Sequence, residues 1–159
     1  MDFFYPNRTN MMWEIFGLVF FGDSQRLIDK PSNSFNQPLI QSLLEQRGIA
    51  IFDAATAVRR LSGNASDKDL LIVQKTNLPQ LLSQIPLCTD IVSTGQKSFS
   101  VLTDDYGVSA PPMGTFNTFS ISQRPLRLWR MPSSSRAYPM PLPEKAIHYR
   151  HMMQTIGLL

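Results

Sequence analysis

Three consecutive hydroxyls, Ser133, Ser134 and Ser135, stand between Pro132 and Pro139, with Arg136 beside them and Arg130 just ahead. Serine hydroxyls and a guanidinium are donors that match phosphate oxygens without needing a metal. Proline fixes φ and removes a donor, so the stretch reads as a stiff loop and not as helix or strand. It follows the alternating run Leu126-Arg127-Leu128-Trp129, which predicts a strand. A rigid polar loop at the carboxyl end of a strand suits pressing into a duplex and holding an extruded nucleotide. The same composition also serves as an ordinary strand-to-helix connection.

Other residue types invite the same double reading. Asn10 is an uncharged amide ahead of an apolar run, able to cap a helix or to face a ligand. Phe3, Phe4 and Tyr5 are either a stacking platform for a base or terminal core packing. Gly95-Gln96-Lys97 joins a strand pattern to a helix pattern, so its amides and Lys97 suit a phosphate, or Gly95 simply turns the chain. The earlier glycine and the loop length of a triphosphate-binding P-loop are missing. Asp53 polarises a neighbour or caps a turn. His148 and His151 lie three apart without a Cys, Asp or Glu triplet to complete a metal site, so they read as helix surface, and Asp104-Asp105 reads as a solvated turn.

The elements that must position these groups alternate along the chain. Periodicity and caps predict helices over 10–20, with Trp13, Phe16 and Phe20 on one stripe, and over 36–47, with Asn36 as cap, Pro38 in the first turn and Gly48 as stop. Residues 49–52 read as a strand buried on both faces, and Ser66 or Asp67 starts a short helix through Val73. Asn77 with Pro79 starts another helix. Strands are expected over 88–94, 116–121 and 126–129, and helices over 96–103 and 143–156. This order predicts a parallel sheet covered by helices on both sides.

Composition bounds the rest. The 159 residues, 43% hydrophobic and 17% charged, suffice for one core and are too few for two domains of usual size. A single cysteine, Cys88, rules out an intrachain disulfide and argues against a structural zinc. The apolar run over 15–21 is too short to span a membrane, and Asp2 does not suit a signal peptide, so the reading is a soluble, cytosolic protein. A net charge of +3 supports a polyanion partner without requiring one, and Arg59, Arg60, Lys97, Arg124, Arg127, Arg130, Arg136 and Arg150 all follow residue 58.

Against this layout the residues resemble a known family. Tyr5-Pro6-Asn7-Arg8-Thr9-Asn10-Met11-Met12-Trp13 resembles the aromatic, spacer, Asn, two residues, Trp signature of the mismatch-specific and hypoxanthine-removing branches of the uracil-DNA glycosylase superfamily. Gly48-Ile49-Ala50-Ile51-Phe52-Asp53 is similar to that family's second strand. Arg60 with Ala65-Ser66-Asp67 resembles its Arg-x-Gly-Ser-x-Asp-like turn, and Thr94-Gly95-Gln96-Lys97 resembles its Gly-x-Lys turn. Met131-Pro132-Ser133-Ser134-Ser135 takes the place of its proline-serine motif. Family members open with a hydrophobic strand and a Gly-x-x-Pro-type loop ahead of this segment; the chain starts at Met1 with neither, which makes an N-terminally shortened domain the expectation.

The resemblance implies one domain over 1–159, a three-layer α/β/α sandwich around a mainly parallel central sheet that lacks its first strand. It implies hydrolysis of the N-glycosidic bond of a flipped uracil or hypoxanthine in DNA, without metal or nucleotide cofactor. Asn10 would be the catalytic amide, Tyr5 and secondarily Phe4 the base-stacking rings. Gly95, Lys97, Arg130, Pro132, Ser133, Ser134, Ser135 and Arg136 would contact DNA. Such cleavage gives the sugar oxocarbenium character and the departing base negative charge, so preorganised dipoles are the main need. An amide at a helix start would orient the attacking water or steady that base. A truncated relative that only binds DNA is the alternative. A small-nucleotide or ester hydrolase is disfavoured, since no Gly-x-Ser-x-Gly elbow, paired catalytic carboxylates or metal cluster appears.

Overall fold

The computed structural model of the chain describes residues 1–60 and 70–159. Two compact units divide it: Met1–Phe52 with Met131–Leu159, and Asp53–Arg130. Among the described residues the architecture is mixed α/β, with five helices and three small sheets. No described helix is long and apolar enough to cross a membrane.

The first unit is built on helices α1 (Met12–Phe21), α2 (Gln37–Arg47) and α5 (Leu142–Thr155), with a two-residue ladder of β1 (Ile28–Asp29) and β2 (Ser34–Phe35) between the first two. The α1 sequence is apolar on nearly every side, and Met12, Trp13, Ile15, Phe16 and Val19 are all buried, as are Ala146, Tyr149, Met152 and Met153 of α5. Burying large apolar side chains stabilises by about 1.5–3 kcal/mol each. Asn36 caps α2 by accepting from the Leu39 amide at 3.1 Å, and Gly48 ends the helix in the left-handed conformation, as expected. Gly17 has a different purpose. Its missing side chain lets the turn after α1 fold back, because a Cβ there would stand 2.5 Å from the Asp23 carbonyl.

The second unit contains β3 (Ala55–Arg60), β4 (Leu70–Lys75), α3 (Leu78–Gln84), β5 (Asp90–Thr94), α4 (Gln96–Tyr106), β6 (Phe116–Ile121) and β7 (Arg124–Met131), the last residue of β7 belonging to the first unit. Strands β3 and β4 pair antiparallel. The other sheet has the order β5-β7-β6, and its β6–β7 ladder is antiparallel, so its parallel pairing lies between β5 and β7. Leu126 and Leu128, two apart on β7, share one face. Leu126 packs with Leu82 of α3, and Leu128 with Phe99 of α4, while Ile91, Tyr106 and Phe119 adjoin both groups.

Several expectations are corrected by this arrangement. Residues 49–52 are not a strand: Gly48 turns the chain out of α2 into an extended connection where Phe52 is exposed. The helix expected through Val73 is replaced at its end by β4, whose β-branched Ile72 and Val73 suit a ladder. The start of that helix, Ser66 or Asp67, and the Ala65-Ser66-Asp67 turn lie outside the described residues. Within the second unit, helices α3 and α4 pack on the face of the three-stranded sheet that carries Leu126 and Leu128.

On the other face, Asp90 ties β5 to β7. Its carboxylate accepts from Arg127 Nε at 2.7 Å, Arg127 Nη2 at 2.8 Å, Trp129 Nε1 at 2.8 Å and Thr89 Oγ1 at 2.7 Å. Burial opposes ionisation, but the bonds from Arg127, Trp129 and Thr89 outweigh it and hold the carboxyl below its usual value. A carboxyl whose folded pKa lies below the unfolded value, about 3.9, stabilises the fold above that value and loses the contribution as pH falls through the folded pKa. Chemical denaturation at pH 6 and pH 3 should therefore show an acid loss that Asp90→Asn reduces, with the variant already about 1–3 kcal/mol less stable at pH 6. Gly17→Ala should also lower stability, by about 1–3 kcal/mol, because backbone and not a flexible side chain opposes the new methyl.

Candidate functional site

Asn10 and the serine loop come together in the first unit. Residues Asn10 and Ser135 form an antiparallel bridge, with the Met11 amide donating to the Ser134 carbonyl at 2.7 Å and the Arg136 amide to the Thr9 carbonyl at 3.0 Å. These two bonds flank the pair, so Asn10 and Ser135 occupy a non-hydrogen-bonded position. There opposed Cα atoms stand about 4.5 Å apart and side chains approach most closely. Ser135 is thus half in a ladder, where the prolines predicted only loop.

The Asn10 amide has a fixed orientation. Its Oδ1 accepts from the Met12 amide at 2.9 Å at the start of α1. A backbone N–H requires the oxygen on that side, which leaves Nδ2 as the donor end of the group. The loop supports itself beside it. Ser133 Oγ accepts from the Ser135 amide, and Ser135 Oγ from the Ala137 amide, both at 3.2 Å. Ser134 and Pro132 are buried, and the Pro132 carbonyl accepts from the Tyr149 hydroxyl at 3.0 Å. Burial, and secondarily the proximity of Tyr5, pushes the Tyr149 phenol far up, so it remains a neutral donor.

Charge anchors the loop from α1. Glu14 is 5% exposed, and its two carboxylate oxygens meet Arg136 Nη2 and, at 3.7 Å, Arg8 Nη2. Arg136 Nε also donates to the Arg8 carbonyl at 2.7 Å. Arg136 was expected to hold DNA, yet the fold uses its fork on Glu14 and on the backbone. Arg8 lies over the Phe35 ring and has a buried Nη1 that finds no acceptor. Lys145, the first-turn residue that faces inward from α5, donates to the Ser135 carbonyl at 2.6 Å. Burial and then Arg136 lower its pKa.

The aromatic residues are arranged around Trp13. The Phe3 ring stacks on the indole at 6.0 Å, Tyr5 meets it edge-on at 6.1 Å, and Phe4 accepts the indole N–H through its carbonyl at 3.1 Å. Tyr5 has φ 50°, a left-handed conformation that a bulky side chain adopts at a cost of about 1–2 kcal/mol. All three are partly exposed.

Gly95, Lys97 and Arg130 belong to the second unit. Gly95 precedes α4 with φ 107°, a conformation that needs glycine, and Lys97 is exposed in the first turn. Arg130 sits near the end of β7 with Nη1 on the Pro111 carbonyl at 3.2 Å. The other arginines of this region serve the fold: Arg124 binds the Leu82, Ile85 and Cys88 carbonyls, and Arg127 binds Asp90. An open cavity of about 290 Å³ lies at the start of α2, lined by Asp29, Ser34 and Phe35 among others, and none of the expected site residues lines it.

No family model, curated protein or solved structure matches the chain. The site must be argued from its own chemistry.

Glu14, Arg8, Lys145 and Tyr149 are site residues that sequence reasoning missed. The signals were faint: one carboxylate in an otherwise apolar helix, and one lysine at the helix-facing position of α5. Glu14→Gln should cost about 1–3 kcal/mol in denaturant unfolding, less than for a fully enclosed pair because Arg8 and Arg136 keep 31% and 42% side-chain exposure. Tyr149→Phe should cost about 1–2 kcal/mol through the unpaired Pro132 carbonyl.

Proposed function

We propose that the chain is a DNA base-excision enzyme of the uracil-DNA glycosylase kind, releasing uracil or hypoxanthine from an extruded nucleotide. The observation that carries the reading is the Asn10–Ser135 pair, which sets an amide donor and a hydroxyl side by side on one face. With Oδ1 engaged at the helix start, Asn10 is oriented to donate from Nδ2. Of the two roles open to such an amide, donation suits steadying an anionic departing base better than accepting a proton from water. Two cations, Arg8 and Arg136, meet one carboxylate, Glu14, and a third, Lys145, stands close to Arg136, so the potential behind the pair favours an anion.

The strained Tyr5 backbone supports a role for that ring as the stacking surface, since strain of this kind collects at binding sites. Stacking of a base on an aromatic ring contributes about 1–3 kcal/mol. Ser135, rather than the buried Ser134, is the loop hydroxyl placed to meet the nucleotide. Taken by itself, the second unit offers the Gly95 turn and Lys97 as groups suited to a phosphate. The parallel β5–β7 pair followed by α4 is the element that fits the family's three-layer sandwich around a mainly parallel sheet.

The test is incubation with oligonucleotides containing a single uracil or hypoxanthine, followed by alkali. Strand breaks at the modified position are expected, because only base release leaves an abasic site; binding without breaks would leave a DNA-binding module and end the enzyme reading. Asn10→Ala should reduce release by about a hundredfold or more with little change in DNA affinity, the size seen when one preorganised donor is lost. Ser135→Ala should weaken binding of the modified oligonucleotide.

A further inference from the structure

Lys145 is completely buried, yet none of the ion pairs among the described residues includes it. Glu14, the carboxylate buried in the same unit, has its oxygens committed to Arg136 and Arg8. The ammonium instead meets the Ser135 carbonyl at 2.6 Å, Met11 Sδ at 3.8 Å and the Tyr138 ring at 5.5 Å. Burying a cation without a counter-charge costs stability, and an apolar side chain of the same length would avoid that cost.

The geometry shows what the cost achieves. Because the two bridge bonds run from Met11 and Arg136, the N–H and C=O of Ser135 point away from Asn10. The N–H is taken by Ser133 Oγ. The carbonyl accepts from Lys145 Nζ and, at 3.2 Å, from the Tyr138 amide. Lys145 therefore grips the ladder from its outer side, from a helix packed against α1.

We infer that Lys145 is the positioning residue of the Asn10–Ser135 pair: its buried ammonium holds the serine loop in register, at the expense of global stability. Its effect on base release rests on the function proposed above; the hold itself does not. The charged and titratable groups that face the amine are Arg136 and Tyr138 from the loop; Glu14 and Arg8, from the amino-terminal segment, reach it only through Arg136, and His148 and Tyr149 follow on its own helix.

Hydrogen exchange of the Met11 and Arg136 amides reads the hold directly. In Lys145→Met these two amides should exchange about tenfold faster while the later turns of α5 keep their protection, and the thermal midpoint should equal or exceed that of the parent. A Lys whose folded pKa lies below its unfolded value makes global stability rise as pH climbs through the folded pKa. In the unmodified protein, then, raising pH from 7 to about 10 should strengthen global stability and weaken protection of the two amides, after correction for intrinsic rates. The Met variant should show neither trend. Unchanged amide protection in the variant, or a parent protein insensitive to pH at these amides, would overturn the inference; if the variant fails to fold, the pH series on the parent decides. Base release should fall about tenfold in the Met variant with DNA affinity nearly constant. If the amides respond as stated but the parent releases no base, the glycosylase reading fails and the positioning role stands.

Discussion

A carboxylate withdrawn from water must be met by cations at the place where it is buried, and Glu14 imposes that demand on the first unit. Helix α1 presents it one turn beyond Asn10, among apolar neighbours that cannot move aside. Arg136 and Arg8 answer the demand, and in doing so they bring the loop between Pro132 and Pro139 against the segment that precedes the helix. The bridge from Asn10 to Ser135, the buried Ser134 and the contact from Tyr149 to Pro132 all follow from that docking. A buried ion pair of this kind is a weak source of stability but a strong source of register, because a shifted loop would strand the charge.

Arginine is used throughout the chain as a carbonyl and carboxylate clamp. Arg124 gathers three carbonyls at the end of α3, Arg127 completes the Asp90 network, and Arg47 and Arg150 hold the Leu158 and Leu18 carbonyls. A guanidinium has five donors in a fixed fork, so it serves such positions better than lysine. Much of the positive charge among the described residues is thus committed within the fold.

Local signals were legible where local physics decides. Asn36 and Asn77 cap their helices as the sequence predicts, with proline in the first turn in both cases, and Gly48 ends its helix in the left-handed conformation, whereas α4 runs past the expected residue 103 to a stop at Gly107. The strand pattern over 126–129 was visible because Leu126 and Leu128 alternate with Arg127, a period of two, even though Trp129 on the opposite face is buried as well. Residues 49–52 misled because a short apolar run between a helix stop and an Asp looks like a buried strand, while nothing in four residues says whether a sheet will receive them. The two-residue ladder of β1 and β2 has no periodic signature at all. For the site, Asn10 and the serines were readable by type, and their adjacency was not: the bridge between them depends on Glu14 and Lys145, whose importance comes from burial that sequence spacing does not reveal.

Arg136 reaches the Arg8 carbonyl across 128 positions of the chain. Joining segments so far apart requires closing one long loop, whose entropic cost grows slowly with length but must be met before the contact repays it. On the ribosome, α1 is made well before the loop, with its carboxylate hydrated, and it waits for its counterpart until Arg136 has been synthesised. The Asn10–Ser135 pairing therefore cannot exist in a nascent fragment that stops short of the loop. Its formation becomes a report that two distant segments have met.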